Sequence, residues 1–105
     1  RERMGRVAAR LADWTVLTSD NPRTEDPEAI IAAIAGGFDK EAVRSYEVEP
    51  DRRKAIARAL AAANKGDIVL IAGKGHEDYQ IFKDRTVPFS DVAVVEETLH
   101  GMEAL

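Results

Sequence analysis

The feature that most restricts the fold of this chain is an unbroken run of five apolar residues at positions 68–72, which a glycine-rich loop follows at once. The run does not alternate between apolar and polar residues, as a strand with one exposed face does. Runs of this kind are typical of parallel strands that are covered on both faces. We therefore predict a buried parallel strand over residues 68–72.

Helical and strand-like patterns alternate along the rest of the chain. We predict helices over residues 3–12, from Pro27 to the Gly36-Gly37 pair, from Asp51 to residue 63 and from Asp91 to residue 102. Further strands are predicted over residues 14–18 and 42–48, with a hairpin of residues 79–82 and 86–89. This order predicts an α/β fold with a Rossmann-like open, mostly parallel sheet, helices on both faces and an antiparallel edge hairpin.

Local signals also predict how the helices begin, end and face the core. Asp26 is expected to cap the second helix, because its side chain can accept from free N–H groups. The Gly36-Gly37 pair is expected to end that helix, and the cluster Arg52-Arg53-Lys54 is interpreted as a solvated face. Two apolar stripes are expected to face the core, and they consist of Met4, Val7, Ala8 and Leu11 in the first helix and of Val92, Val95, Leu99 and Met102 in the last.

The composition of the 105 residues excludes several classes of function. A net charge of -4 argues against nucleic acid as a partner, because a nucleic-acid binder shows a basic face. No apolar run approaches membrane-spanning length, and the lack of cysteine excludes disulfides and thiolate metal sites. We find no metal-ligating cluster and no nucleophile–base pair, so no catalytic or metal residue is predicted. A cytoplasmic location is expected.

Two polar loops directly follow two of the predicted parallel strands. One is Asp20-Asn21-Pro22-Arg23, and the other is Gly73-Lys74-Gly75-His76-Glu77. Ligands of open α/β sheets bind beyond the carboxyl ends of the strands. The first loop offers an amide and an arginine fork, and the second offers a carboxylate and flexible glycine backbone. Together they suit a small molecule that carries both a carboxylate and an ammonium group, such as an amino acid.

Each loop alone also has a simpler interpretation. The second would be a tight turn with His76 and Glu77 solvated, and the first a turn whose polar side chains bond the nearby backbone. Nucleotide-binding motifs fail on their residues, because Asp78 stands where the dinucleotide fingerprint needs glycine and the phosphate loop is absent. The pairing of the two loops favours the binding interpretation.

The two loops resemble the signature stretches of the C-terminal domain of the Mur ligases. The residues that carry the resemblance are positions 19–25 and 73–80, and the similarity extends from the first helix to Phe89-Ser90-Asp91, essentially the whole chain. The two motifs in this order are strongly specific, and they are most similar to the family members that add meso-diaminopimelate.

The resemblance implies that residues 1–105 are the C-terminal, amino-acid-binding domain of a longer three-domain ligase, in line with a start at Arg1 rather than Met. Such a ligase joins the amino acid to a UDP-linked muramoyl dipeptide in peptidoglycan synthesis. ATP phosphorylates the dipeptide's carboxylate, and the incoming amine attacks the acyl phosphate. ATP and Mg²⁺ would bind mainly outside these residues, so the chain alone is expected to be inactive.

Carried over to this sequence, the resemblance assigns substrate contacts to four residues. Asn21 and Arg23 would bind the distal carboxylate of meso-diaminopimelate, and the Gly73 carbonyl and the Glu77 carboxylate would take its distal ammonium. L-Lysine lacks that carboxylate and would leave Arg23 unpaired, which sites of this kind reject. The residues expected to support the two loops are Asp20, Pro22, Lys74, Gly75 and His76.

One departure from the family and two alternatives stay open. In the family, a segment rich in glycine, aspartate and arginine precedes the position of Arg1 and completes the amino-acid site, so half a site is expected here. The alternatives are a lysine-adding or other ligase of the Mur superfamily, and a non-catalytic amino-acid-binding module. A flavodoxin-like signalling domain fits poorly, because its acidic magnesium cluster is missing.

Overall fold

In a computed structural model, which describes residues 1–103, the chain folds into helices packed on two small sheets. The helices are α1 (Glu2–Leu11), α2 (Pro27–Lys40), α3 (Arg52–Ala62) and α4 (Asp91–Glu103), and the strands are β1 (Thr15–Leu17), β2 (Tyr46–Val48), β3 (Tyr79–Ile81) and β4 (Thr86–Pro88). β1 pairs with β2 in parallel, with Thr15 opposite Tyr46, and β3 pairs with β4 as an antiparallel hairpin. The mixed α/β fold and the hairpin are confirmed.

Residues 68–72 form no strand, so the prediction of a buried central strand there is wrong. Ile68 and Leu70 are 94% and 85% exposed, whereas Val69 and Ile71 line a cleft beside α4. A strand needs a neighbour whose backbone satisfies its own N–H and C=O groups. Within the described residues, β1 pairs with β2 alone and leaves residues 68–72 without such a neighbour.

α1 and α2 pack against each other through two buried glycines, Gly5 and Gly37. A Cβ atom on Gly5 would overlap the carbonyl of Ile34, and one on Gly37 would overlap the carbonyl of Glu2. The two helix backbones therefore touch, at a distance that excludes any side chain. This contact holds α2 in helical form beyond the glycine pair at which the sequence predicted its end.

The main core lies between α1, α2 and the parallel sheet. Phe38 of α2 is 1% exposed, and its ring packs on Tyr46 with 4.7 Å between the ring centroids. The other buried members of this core are Ala9, Leu17 and Ile31.

The predicted inward faces of the first and last helices are largely wrong. α1 turns Gly5 and Ala9 toward α2, which leaves its stripe of larger apolar side chains exposed. α4 buries Asp91 and Val94 and partly buries Val95. The residues of the predicted stripes that are instead exposed are Met4, Val7, Leu11, Val92, Leu99 and Met102.

The helix starts agree with the sequence signals. The Glu28 N–H donates to the Asp26 carboxylate over 3.0 Å, with Pro27 directly after the cap. Asp51 caps α3 in the same way, by accepting from the Lys54 N–H over 3.1 Å. No helix among residues 1–103 has the length and apolar character that crossing a membrane requires.

The substitution Gly37→Ala should destabilise the fold, whereas Gly36→Ala should not. The methyl group at position 37 would overlap the backbone of α1, and overpacking of this kind costs about 1–3 kcal/mol. A Cβ atom at Gly36 would meet nothing within 4 Å, and alanine there gains up to about 1 kcal/mol of helix propensity. Urea unfolding of both variants measures the difference. Equal free energies of unfolding would contradict the glycine contact.

Glu41 makes the packing of α1 on α2 sensitive to acid. Its carboxylate accepts from Arg10 over 2.9 Å and from Arg6 over 3.2 Å, and these hydrogen bonds lower the pKa of Glu41. The stabilisation is therefore complete above the ordinary pKa of a glutamate and is lost as the pH falls through the lowered value. The difference in unfolding free energy between the parent and Glu41→Gln should shrink on acidification. A difference that stays constant with pH would contradict this linkage.

Candidate functional site

The two loops that were predicted to bind a ligand lie side by side, and Lys74 joins them. Its side chain is fully buried, and its Nζ donates to Asp20 Oδ1 over 2.8 Å and to Asn21 Oδ1 over 3.2 Å. Asn21 Nδ2 in turn donates to Glu77 Oε1 over 3.3 Å. The amide of Asn21 thus connects a cation and an anion of the second loop. Because Asp20 neutralises Lys74, the buried ammonium adds little net positive charge to the site.

The hairpin holds the first loop from the other side. The Arg23 N–H donates to the Ile81 carbonyl over 2.9 Å, and the Ile81 N–H donates to Asn21 Oδ1 over 3.0 Å. The buried Gln80 side chain donates to the backbone carbonyl of Asp20 over 3.0 Å. These bonds fix the backbone on both sides of the buried Pro22, so the course of the first loop is set by β3.

The backbone of both loops adopts conformations that most residues avoid. Arg23 has a φ of +58°, although a side chain makes the left-handed region unfavourable. Gly73 and Gly75 have φ values of +111° and +59°. A Cβ atom on Gly73 would also lie 3.4 Å from Asp20 Oδ2, in a conformation that side chains rarely adopt. Glycine adopts such values without strain, so the strain lies at Arg23, and backbone strain of that kind is concentrated at functional sites.

The polar groups that remain for a ligand differ between the loops. The Arg23 side chain is exposed and makes no side-chain hydrogen bond or ion pair with residues 1–103. Glu77 is half-buried, and only its Oε1 atom accepts from a described side chain. His76 is exposed and lies between Gly75 and Glu77 without a bond of its own to the described residues. The site therefore presents a guanidinium on one loop and a carboxylate on the other.

Arg52 is a buried side chain at the start of both loops that the sequence prediction missed. It was interpreted as part of a solvated helix face, but it is only 4% exposed. Its Nε and Nη2 atoms donate to the two carboxylate oxygens of Asp91, each over 2.7 Å. Nη1 donates to the Ser19 carbonyl over 3.1 Å, and Nη2 also donates to the Ala72 carbonyl over 3.2 Å.

A sequence signal for Arg52 does exist, although it is indirect. The residue opens α3 directly after its cap, where the positive end of the helix dipole repels a cation. An arginine at that position needs an anionic partner to offset the repulsion. The sequence does not identify that partner, because Asp91 lies 39 positions further along the chain.

The arrangement is suited to binding a charged ligand. Within residues 1–103, no group of three or more histidine, cysteine, aspartate or glutamate side chains is placed to hold a metal ion. An arginine fork and a carboxylate can instead hold the opposite charges of a zwitterionic ligand.

Comparisons with known proteins identify the family to which this fold belongs. Residues 1–75 match the family model described as Mur ligase, glutamate ligase domain. The chain is 52% identical over 98 residues to the UDP-N-acetylmuramoyl-L-alanyl-D-glutamate–2,6-diaminopimelate ligase of Syntrophomonas wolfei, a match that covers 93% of this chain and 20% of the relative. It is 57% identical over 91 residues to the ligase of the same name from Prochlorococcus marinus, a match that covers 87% of this chain and 18% of the relative.

The solved structures lead to the same family. A structure of a UDP-N-acetylmuramoyl-L-alanyl-D-glutamate–2,6-diaminopimelate ligase superposes with a TM-score of 0.88 at 43% sequence identity, and the match covers 98% of this chain and 21% of that one. The chain spans about a fifth of the length of the relatives it matches. The resemblance seen in the two loops is therefore confirmed, and this chain belongs to the Mur ligase family, with residues 1–75 in its glutamate ligase domain.

Proposed function

We propose that this chain is the C-terminal, amino-acid-binding domain of an ATP-dependent ligase that adds meso-diaminopimelate to UDP-N-acetylmuramoyl-L-alanyl-D-glutamate in peptidoglycan synthesis. The observation that carries the proposal is the joining of the two loops by Lys74, with Arg23 left unpaired beside them. Relatives that bear this enzyme name share about half of their aligned residues with the chain, which supports the choice of reaction.

Arg23 and Asn21 are proposed to bind the distal carboxylate of the amino acid. The Arg23 guanidinium is free to form two parallel hydrogen bonds with a carboxylate, in one plane. The Oδ1 atom of Asn21 is occupied by Lys74 and by the Ile81 N–H. Its NH₂ group has two hydrogens, and Glu77 accepts only one of them. The second hydrogen is the one that we assign to the ligand.

Gly73 and Glu77 are proposed to take the distal ammonium. A carboxylate and a backbone carbonyl are both acceptors, and the ammonium has three hydrogens to donate. The ion pair of Lys74 with Asp20 supports this assignment, because an uncompensated lysine so close would repel the ligand's cation. Asp20 and Lys74 therefore act as loop supports in this proposal, together with Pro22, Gly75 and His76.

The unpaired Arg23 also separates the proposal from a lysine-adding ligase. L-Lysine brings an ammonium for Glu77 but no carboxylate for Arg23. Because Arg23 is exposed, water can solvate it when no carboxylate is bound, so the preference for meso-diaminopimelate comes from the two hydrogen bonds that only its distal carboxylate forms with the guanidinium. A free-standing binding module would use the same contacts without chemistry, and the two possibilities differ only in what the rest of the polypeptide supplies.

Exposed apolar side chains support the proposal that the domain belongs to a longer protein. Ile68 and Leu70 are exposed on the segment beside α4, and α1 exposes Met4, Val7 and Leu11 at helical spacing. Apolar surface of this extent is commonly covered by another protein segment. The chain also spans only a fifth of the length of its relatives.

ATP and Mg²⁺ are assigned to other parts of that longer protein. The sequence has no phosphate loop, and the described residues include no metal-ligating cluster, so the residues present do not fit the nucleotide. The UDP-linked dipeptide is assigned to those other parts as well. The net charge of -4 is in keeping with a partner other than nucleic acid, and a cytoplasmic location is part of the proposal.

Titration with meso-diaminopimelate should shift the amide signals of Asn21, Arg23, Gly73 and Glu77, while L-lysine should have little effect. In Arg23→Gln, the affinity for meso-diaminopimelate should fall at least about tenfold, which corresponds to about 1.4 kcal/mol. Arg85→Gln is the matched control, since Arg85 is an exposed arginine on the hairpin that pairs with Asp84. Equal responses to both amino acids would favour a lysine-type or generic binder. No response from a folded chain would contradict binding by this domain alone.

The chain by itself should not turn over ATP. Its described residues lack a nucleotide site, so no ADP should form when the purified chain is mixed with ATP, Mg²⁺, the UDP-linked dipeptide and meso-diaminopimelate. Full-length ligase is the positive control in the same coupled assay. Detectable ADP release by the chain would overturn the assignment of ATP to the rest of the protein.

A further inference from the structure

A single buried guanidinium connects the starting points of both ligand loops. Arg52 donates to the Ser19 carbonyl, which belongs to the last peptide group before Asp20, and to the Ala72 carbonyl, which belongs to the last peptide group before Gly73. The same side chain forms a fork with both oxygens of Asp91, the first residue of α4. Arg52 thus fixes the distance and direction with which the two loops begin.

The buried Arg52–Asp91 pair is poorly explained by stability alone. The side chains are 3% and 8% exposed, and removing two charges from water costs several kcal/mol per ion, which their attraction often only offsets. Apolar residues of similar volume commonly serve a core equally well. The rigid fork of an arginine, with donors that point in several directions within one plane, suits a group that must hold separate backbone segments in register.

Arg52 and Lys74 hold the two loops together at different places. Lys74 links the loops through the side chains of Asp20 and Asn21. A lysine side chain is flexible, however, and its ammonium does not confine its partners to one plane. Arg52 contacts the backbone at the base of each loop instead. A displacement of Arg52 would therefore displace both loops, because Ser19 and Ala72 each directly precede a loop.

We infer that Arg52 and Asp91 are positioning residues of the amino-acid site, and that they hold the two loops at the separation where Arg23 and Glu77 reach opposite charges of one ligand. This inference rests on the proposed function for the identity of the ligand. It assigns to Arg52 a task at the base of the loops and no contact with the substrate.

The first test needs no ligand and compares Arg52→Lys with Arg53→Lys. Arg53 is the adjacent arginine, but it is exposed and pairs with Glu97 on the surface. Arg52→Lys should shift the carbonyl ¹³C signals of both Ser19 and Ala72 and should raise the hydrogen exchange of the Arg23 and Glu77 amides, which are hydrogen-bonded in the two loops. Arg53→Lys should leave all of these unchanged. If Ser19 or Ala72 does not respond to Arg52→Lys, the coupling of the two loops is refuted.

The second test uses meso-diaminopimelate and L-lysine as probes. Displacement of a binding group by about 1 Å can cost on the order of 100-fold, so Arg52→Lys should weaken binding of meso-diaminopimelate about 10- to 100-fold. L-Lysine, which lacks the carboxylate for Arg23, should give little response with either the parent or the variant. In full-length ligase, the KM for meso-diaminopimelate should rise more than kcat falls, and Arg53→Lys should match the parent.

The variants separate misfolding, a failed inference and a failed function. If Arg52→Lys does not fold, Asp91→Asn provides the same readouts, since asparagine keeps the shape of the acceptor and weakens the fork. A folded variant with shifted carbonyl signals and parental affinity for meso-diaminopimelate would overturn the positioning role. If neither the parent chain nor the full-length protein binds meso-diaminopimelate, the proposed function is overturned, and meso-diaminopimelate is not the ligand of the two loops. The carbonyl signals of Ser19 and Ala72 would still decide whether Arg52 couples the loops.

Discussion

The buried charge of Arg52 is the interaction on which the arrangement of this domain depends. A guanidinium can leave water only where ionic and hydrogen-bond partners replace its hydration, and here Asp91 and the two backbone carbonyls do so. The requirement has a consequence for α4. Because Asp91 must face inward to meet Arg52, α4 is turned so that Val94 is buried and Val92 is exposed.

A second set of charges determines what the loops leave for a ligand. Lys74 is paired with Asp20, and the Asn21 amide is shared between Lys74, Glu77 and the backbone of Ile81. Most of the charges and hydrogen-bonding groups of these loop side chains therefore already have partners within the chain. The groups that remain are the Arg23 guanidinium and the second amide hydrogen of Asn21 on the first loop, and the second oxygen of the Glu77 carboxylate on the other. These groups favour a ligand whose end carries both a carboxylate and an ammonium group, and they disfavour a ligand whose end carries an amine alone.

Features governed by local chemistry could be predicted from the sequence. The capping of α2 by Asp26 depends only on residues within one helical turn, and the hairpin depends on two adjacent apolar runs. The two ligand loops were also located correctly as neighbours, although the second loop follows no strand and hydrogen bonds of Lys74 and Arg52 join the two instead. Which residues of those loops contact a substrate remains a prediction.

Features governed by distant partners could not be predicted. Gly37 was taken as a helix end, since nothing nearby in sequence reveals that α1 fills the space beside it. Arg52 was taken as a solvated charge, because its partner follows 39 positions later. Residues 68–72 were taken as a central strand on apolar character alone, although a strand also requires a neighbour for its backbone.

The contrast between residues 68–72 and the loop that follows them shows which forces hold the site. The segment has no strand neighbour among the described residues, and Ile68 and Leu70 are exposed. Yet its end is fixed, because Arg52 binds the Ala72 carbonyl and the buried Lys74 binds the first loop. Polar contacts inside the chain therefore set the loop geometry before the apolar faces are covered. In the proposed ligase, the two loops would select the distal end of the amino acid, and the rest of the protein would complete the amino-acid site, cover those faces and supply the nucleotide chemistry.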